Sequence, residues 1–272
     1  MSRWDSISIT AHYTAQIWVR NMDAWAWRFD TNKGRLMYHA SKPLFDAMTW
    51  AGLTTPPEFC VQRHRIMDAR LPDLAPVQLI ELAGGLSPRC LAYAQKWGVS
   101  SVDVDLPNMV QAKRAMLGDD VPEHYQQAAL DLIASDDYVA DLRGVLVQGA
   151  PTVIITEGIL SYFSMDQQQR IFDKIAALLR WCGGGTYMTD IHHQDEVDRL
   201  GSAAALFRWG LHKLSDTEQT ALIPNFGAGQ QMLAAAGFSD IVGLHPNQWH
   251  EELSLPLLRK DSGLMIYEAK IS

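Results

Sequence analysis

"LIELAGGLSPRCLAYAQKWG", residues 79–98, opens as a strand and closes as a helix, with Gly84, Gly85 and the pair Ser87-Pro88 between the two. The apolar run of residues 77–82 leading into it is short and does not alternate, the pattern of a strand buried on both faces. After Pro88, Leu91, Ala92 and Ala94 supply a helical face. Ser87 is a suitable N-cap, and Pro88 is tolerated in a first turn because its missing N–H would have no intrahelical partner. The stretch therefore predicts a β-turn-α unit. Two glycines at the carboxyl end of a strand remove two Cβ atoms where open α/β sheets hold ligands, so a ligand is expected to approach the backbone there.

Beyond this unit the elements alternate. Strands are predicted over residues 99–104, 124–129, 152–156 and 186–191, with helical stretches between them. The clearest helix covers residues 165–179, with Ile171, Ile175, Leu178 and Leu179 on one stripe. After a helix ending at Gly237, two further strands are predicted over 240–244 and 264–271. Such alternation implies a doubly wound, mostly parallel sheet. Residues 1–75 differ in character: they hold Trp4, Trp18, Trp25, Trp27 and Trp50, and Ile7, Ala11, Thr14, Trp18, Met22, Trp25 and Phe29 recur at helical spacing. Pro72 and Pro76 mark the passage into the first strand. The expected organisation is an N-terminal helical lid or substrate lobe over 1–75 and an α/β core over 76–272. Trp25, Trp27 and Phe29 are read first as core of that lobe, with a substrate cage or a homodimer surface as alternatives.

The 272 residues are 47% hydrophobic and 20% charged, enough for one large core. A formal net charge of −8 argues against a nucleic-acid partner, which would need a basic face. Cys60, Cys90 and Cys182 are isolated, without CxxC spacing or a disulfide framework. No run approaches ~20 apolar residues and the first residues lack a signal-peptide stretch, so a soluble cytoplasmic protein with no membrane contact is expected.

The glycine turn alone does not identify its ligand, since dinucleotide and nucleoside cofactors both use one. The spacing is not GxGxxG, and Pro88 removes an N–H that a pyrophosphate would use. S-adenosylmethionine has no phosphate and loses nothing there. Asp105, ending "VDVDLP" about 20 residues past the glycines, suits both ribose hydroxyls; the alternative is that it merely caps the helix after Pro107. Asp103 is read as a solvent-facing strand residue.

"IELAGGLSPR", "VDVDLPNMVQAKRAML" and "VIITEGILSYFSMDQQQRIFDKIAALL" together resemble the leucine carboxyl methyltransferase-like family of class I S-adenosylmethionine-dependent O-methyltransferases. The likeness covers most of residues 77–191, and "ITAHYTAQIWVRN" and "RHRIMDARL" resemble that family's opening segments. The resemblance implies a seven-stranded Rossmann-like methyltransferase sheet with its last strand antiparallel. It also implies a cofactor site of Glu81, Gly84 and Gly85 around the methionine moiety, Asp105 at the ribose, Asp131 near adenine, and Glu157 with Gly158 beside the sulfonium. Arg63 would take the methionine carboxylate as a planar fork, with Arg65 as the fallback. An acceptor hydroxyl, unlike a carboxylate, would need a general base, for which His192 and His193 are the candidates, with Tyr162 to orient the acceptor. No metal is expected at "DIHHQDE", despite Asp190, His192, His193, Asp195 and Glu196, because adjacent loop histidines point apart more often than they share an ion. The competing readings are an NAD(P)-dependent oxidoreductase and a non-catalytic cofactor-binding partner protein.

Overall fold

The computed structural model describes residues 3–21, 24–52, 54–199, 222–256 and 264–272, the side chains of 3–9, 196, 197 and 199 excepted. Three helices come first: α1 (Arg3–Arg20), α2 (Asn32–Trp50) and α3 (Pro56–Leu74). Alternation then sets in with β1 (Gln78–Leu82), α4 (Arg89–Trp97), β2 (Ser100–Asp105), α5 (Pro107–Leu117), β3 (Tyr125–Ala129), α6 (Tyr138–Leu142), β4 (Thr152–Thr156), α7 (Met165–Trp181), β5 (Gly185–Ile191) and α8 (Gln194–Arg199). Helices Phe226–Ala235 and Pro246–Leu253 flank β6 (Ser239–Leu244), and β7 (Met265–Ile271) closes the chain.

The seven strands form one sheet of order β3-β2-β1-β4-β5-β7-β6. The first five are mutually parallel, and β7 runs antiparallel to both β5 and β6. Strand order reverses between β1 and β4, which makes the crevice beyond their carboxyl ends the topological switch point where such sheets bind ligands. Period-two alternation sends Ile80, Leu82, Val102 and Val104 to one face, into a core shared with Tyr138 and Leu142 of α6 and Ile171, Phe172, Ile175 and Leu179 of α7. Leu79, Val153, Ile155 and Met188 go to the other, against Ile66, Met67 and Leu71 of α3 and Leu91 and Ala94 of α4. Ala15 of α1 and Phe29 join that second core, so the N-terminal helices share apolar packing with the sheet.

Several local readings are corrected. The helical stripe expected to run to Phe29 stops at Arg20. A 3-10 turn, Ala26–Phe29, follows, entered through Trp25 in the left-handed region at φ 69°. Phe29 is fully buried, Trp25 is half-buried and Trp27 is 64% exposed, so the aromatic cluster splits between core and surface. Helix α4 begins at Arg89, with Pro88 rather than Ser87 in the N-cap position. The Ser87 hydroxyl still accepts the Arg89 N–H at 3.3 Å, so the capping chemistry survives one residue out of place. Asp103 is not solvent-facing: it is 5% exposed and accepts from Lys113 Nζ and the Tyr125 hydroxyl, each at 2.6 Å.

Candidate functional site

At the switch point lies a cavity of about 650 Å³ that reaches from the β1 turn to α1 and α2. Glu81, Gly84, Gly85, Asp105, Asp131, Glu157, Gly158, Arg63, Tyr162 and His192 all line it. The fold thus gathers residues from six separate segments into one wall. Each comes from the carboxyl end of a strand, from the segment just past it, or from α3.

Geometry explains the glycines individually. Gly85 has φ +57°, and a Cβ there would meet Ala11 of α1 at 3.1 Å. Gly158 has φ +70°, and its Cβ would lie 2.5 Å from the Arg63 guanidinium. Both positions therefore need a residue without a side chain on two grounds, conformation and close approach. Asp105 accepts the Gly85 N–H at 2.8 Å and the Leu106 N–H at 2.7 Å, which pins the glycine turn to the end of β2. Burial pushes the Asp105 carboxyl above its ordinary range, and those two N–H groups pull against the shift. Asp131 accepts from the Ile133 and Ala134 N–H groups at 2.8 and 3.1 Å, an Asx turn that holds its carboxylate at the end of β3.

Arg63 Nε donates to Glu157 at 3.0 Å and its Nη1 to Asp190 at 3.0 Å. One arginine of α3 thereby clamps the ends of β4 and β5. Next to it, fully buried Arg89 binds Asp68 at 2.6 Å, Glu157 at 2.7 Å and Glu81. His64 stacks on Trp18 with centroids 4.0 Å apart and lies 3.0 Å from Glu157. Burial alone would raise the Glu157 carboxyl; His64, Arg89 and Arg63 outweigh it and hold the group well below the carboxylate range. Glu81 goes the other way, raised by burial and by neighbouring Asp103 against Arg89 and Lys113. Sequence reasoning did not single out Arg89, although an arginine in the first turn of a helix opposes the macrodipole and so signals dedicated acidic partners. It also missed Arg70, whose fork grips Glu268 of β7 at 2.8 and 3.2 Å.

The two histidines after β5 part company. His192 lines the cavity, its ring edge-on to Phe59 at 5.4 Å between centroids. His193 is buried away from it, 2.6 Å from the Tyr267 hydroxyl. Because Tyr267 donates to the Phe226 carbonyl at 3.1 Å, His193 Nε2–H is the donor in that bond. The structure therefore does not bring His193 to the site. Arg65 is likewise elsewhere, donating to the Ser254 carbonyl and Asn21. Tyr162 does line the cavity and hydrogen-bonds Thr10 of α1. The acids and histidines of "DIHHQDE" form no metal-binding cluster among the described side chains, and the Glu196 side chain lies outside them. Glu81, Cys90 and Asp103 do gather, buried, with Arg89 and Lys113 on the two acids.

This sheet order, with its cavity at the switch point and acids ending β2 and β3, defines the class: a class I methyltransferase fold. The sequence profile of the leucine carboxyl methyltransferase family matches residues 7–176, and the chain belongs to that family. A Mycolicibacterium smegmatis protein provisionally named an S-adenosyl-L-methionine-dependent methyltransferase is 34% identical over 143 residues, 50% of this chain and 45% of that protein. The matched region thus spans about half the length of the curated relatives. Among solved structures, a protein from Thermobifida fusca provisionally described as a methyltransferase superposes with a TM-score of 0.58 at 14% identity, covering 88% of each chain. An O-methyltransferase family protein from Burkholderia thailandensis gives 0.53 at 17% identity, over 97% of this chain and 71% of that one. No described helix is long and apolar enough to cross a membrane.

Proposed function

We propose that the chain is an S-adenosylmethionine-dependent O-methyltransferase acting on a carboxylate or hydroxyl of a small molecule or peptide end. The observation that carries the reading is a single cavity joining the glycine turn and the acids Asp105 and Asp131 to an apolar chamber under α1 and α2. The donor set suits this cofactor. Two carboxylates meet hydroxyl and amine groups, and Gly84 and Gly85 leave room along the backbone. The described lining offers one arginine, Arg63, and no lysine, so the two charges of a pyrophosphate would find a single cation. That weighs against the NAD(P) reading. Arg63, at the cavity wall over Gly158, is the proposed partner of the cofactor's carboxylate.

When bound, S-adenosylmethionine supplies an electrophilic methyl group. The protein's part is to hold the acceptor oxygen close and in line while excluding water. A carboxylate, with pKa ~4, is ionised at neutral pH and needs only positioning. A phenol at pKa ~10 costs roughly 4 kcal/mol to ionise, and His192 is the proposed base for it. Tyr162, held by Thr10, is the proposed orienting group. Calorimetry with S-adenosylhomocysteine and with NAD tests the cofactor, and an acceptor panel read by mass for the gain of one CH2 tests the chemistry. Tight NAD binding with none for S-adenosylhomocysteine overturns the reading; cofactor binding with no methyl transfer to any acceptor favours the non-catalytic alternative.

A further inference from the structure

The half of the cavity remote from the glycine turn is built differently from the cofactor half. Its wall is drawn from α1, α2 and the start of α3 and includes Met37, Leu44, Phe45, Met48 and Phe59. Among the described residues it carries no acid, lysine or arginine beyond those already assigned to the cofactor half. Its few hydroxyls are mostly committed: Thr14 donates to the Ala11 carbonyl and Ser41 to the Tyr38 carbonyl, each at 3.1 Å. Tyr13 is different. Its hydroxyl oxygen is buried without a well-aligned hydrogen bond, since its neighbour Ser41 is turned to the Tyr38 carbonyl, and its ring is held between Tyr38 and Phe45 at 6.2 and 6.4 Å. A buried unpaired hydroxyl costs free energy unless something comes to meet it.

Resting on the methyltransferase reading above, we propose that this chamber takes an apolar small molecule, not a peptide end. Its reacting oxygen lies toward Glu157 and Gly158, and a second, hydrogen-bond-accepting oxygen along its body is received by the Tyr13 hydroxyl. A peptide brings an N–H and a C=O at every residue, and each would be desolvated against a wall whose described residues are mostly apolar. An aryl or alkyl body loses nothing there, and burial of its surface drives binding. Tyr13 is thus the specificity-determining residue, and a carbonyl at the matching position is the feature it selects.

The test uses matched probes on the intact protein, by calorimetry with and without S-adenosylhomocysteine. 4-Hydroxybenzophenone and 4-benzoylbenzoic acid carry an apolar body and a ketone, 4-benzylphenol has the body without the ketone, and a pentapeptide with C-terminal leucine represents the peptide class. The ketone probes are expected to bind, and the peptide is not. Tyr13→Phe should weaken the ketone probes about 2- to 10-fold and leave 4-benzylphenol unchanged, since only the former lose a hydrogen bond. Leu44→Glu, which puts a charge on the rim of the apolar wall, should weaken all three aromatic probes while S-adenosylhomocysteine affinity stays constant. Failure of both ketone probes to bind, tighter binding of the peptide, or equal loss for ketone and ketone-free probes in Tyr13→Phe overturns this inference. Loss of S-adenosylhomocysteine binding in the unmodified protein instead removes the methyltransferase reading beneath it.

Discussion

Arg63 Nε donates to Glu157 Oε1 across 3.0 Å, joining a helix that precedes the sheet to the carboxyl end of its fourth strand. With Asp190 on its other arm, the guanidinium is as much a structural rivet as a ligand contact. Arg63→Ala removes the guanidinium from buried Asp190 and one of three basic partners from Glu157, which keeps Arg89 and His64, and should cost about 3–5 kcal/mol of stability. Arg63→Lys retains charge but cannot bridge both acids with the same fork, so it should fall between the two. Urea midpoints for the three proteins check the order. Cofactor affinity measured on the folded fraction separates the structural part from any part played at the ligand.

Gly158→Ala offers an independent probe of the same place. The new Cβ would press on the Arg63 guanidinium at 2.5 Å, from a backbone φ of +70° that L-residues seldom adopt. The variant should be destabilised by roughly 1–3 kcal/mol and should lose methyl transfer. Thermal melting with an S-adenosylhomocysteine titration checks both, and a wild-type melting temperature would show that Arg63 moves aside freely.

Asp105 and Asp103 are one pleat apart on the same strand but should respond oppositely. Asp105→Ala takes an acceptor from the cavity and should weaken S-adenosylhomocysteine binding by a few kcal/mol, at ~1.5–3 for each charge-assisted bond. Asp103→Ala strands buried Lys113 and should lower stability by about 3–5 kcal/mol, with cofactor affinity in the folded protein little changed. Calorimetry and denaturation on both variants check the crossed pattern.

Acid stability should depend on Glu157. Its folded pKa lies below its unfolded one, so its contribution is present above the unfolded value near pH ~4.3 and is lost as pH falls through the lowered value. Glu157→Gln should therefore be much less stable than the parent at pH 7, and the gap should narrow as pH falls below ~4.3 and through the lowered value. For His64, burial and Arg89 lower the pKa while Asp68 and Glu157 more than restore it, so the net shift is upward. Its stabilisation is full below pH ~6.5 and fades as pH rises through the folded pKa. Denaturation midpoints across pH for Glu157→Gln and His64→Gln check both signs.

The paired histidines should separate acceptor classes. With a carboxylate acceptor, kcat is expected to be nearly flat from pH ~6 to ~9 and His192→Ala to keep most activity; with a hydroxyl acceptor that variant should lose ~100-fold or more. His193→Ala should leave kcat intact for either acceptor and lower the melting temperature, because Tyr267 loses its donor in the core. A kinetic defect confined to His193→Ala would mean that the wrong histidine has been placed at the site.

The sequence by itself determined the sheet. Apolar runs such as residues 79–82 and 152–156 fit only strands covered on both faces, and Gly84-Gly85 before Ser87-Pro88 fits only a tight strand-to-helix turn. Both are local physics, settled by side-chain pattern and backbone freedom within a few residues. Asp105 is legible from its spacing after the glycines, whereas the family resemblance points to Asp131, Glu157 and Gly158; all four line the cavity at the carboxyl edge of the sheet. What the tertiary structure alone decided is which side chains meet across long separations. No periodicity could say that Arg89 would bury itself among Asp68, Glu81 and Glu157, that Asp103 would be claimed by Lys113 and Tyr125, or that His192 would face the cavity while His193 turned to Tyr267. Nor could it show that α1 and α2 would leave the Tyr13 hydroxyl unpaired in an apolar wall. A charge or hydroxyl is encoded in one position, but its pairing is a property of packed surfaces, and those exist only once the helices have closed over the sheet.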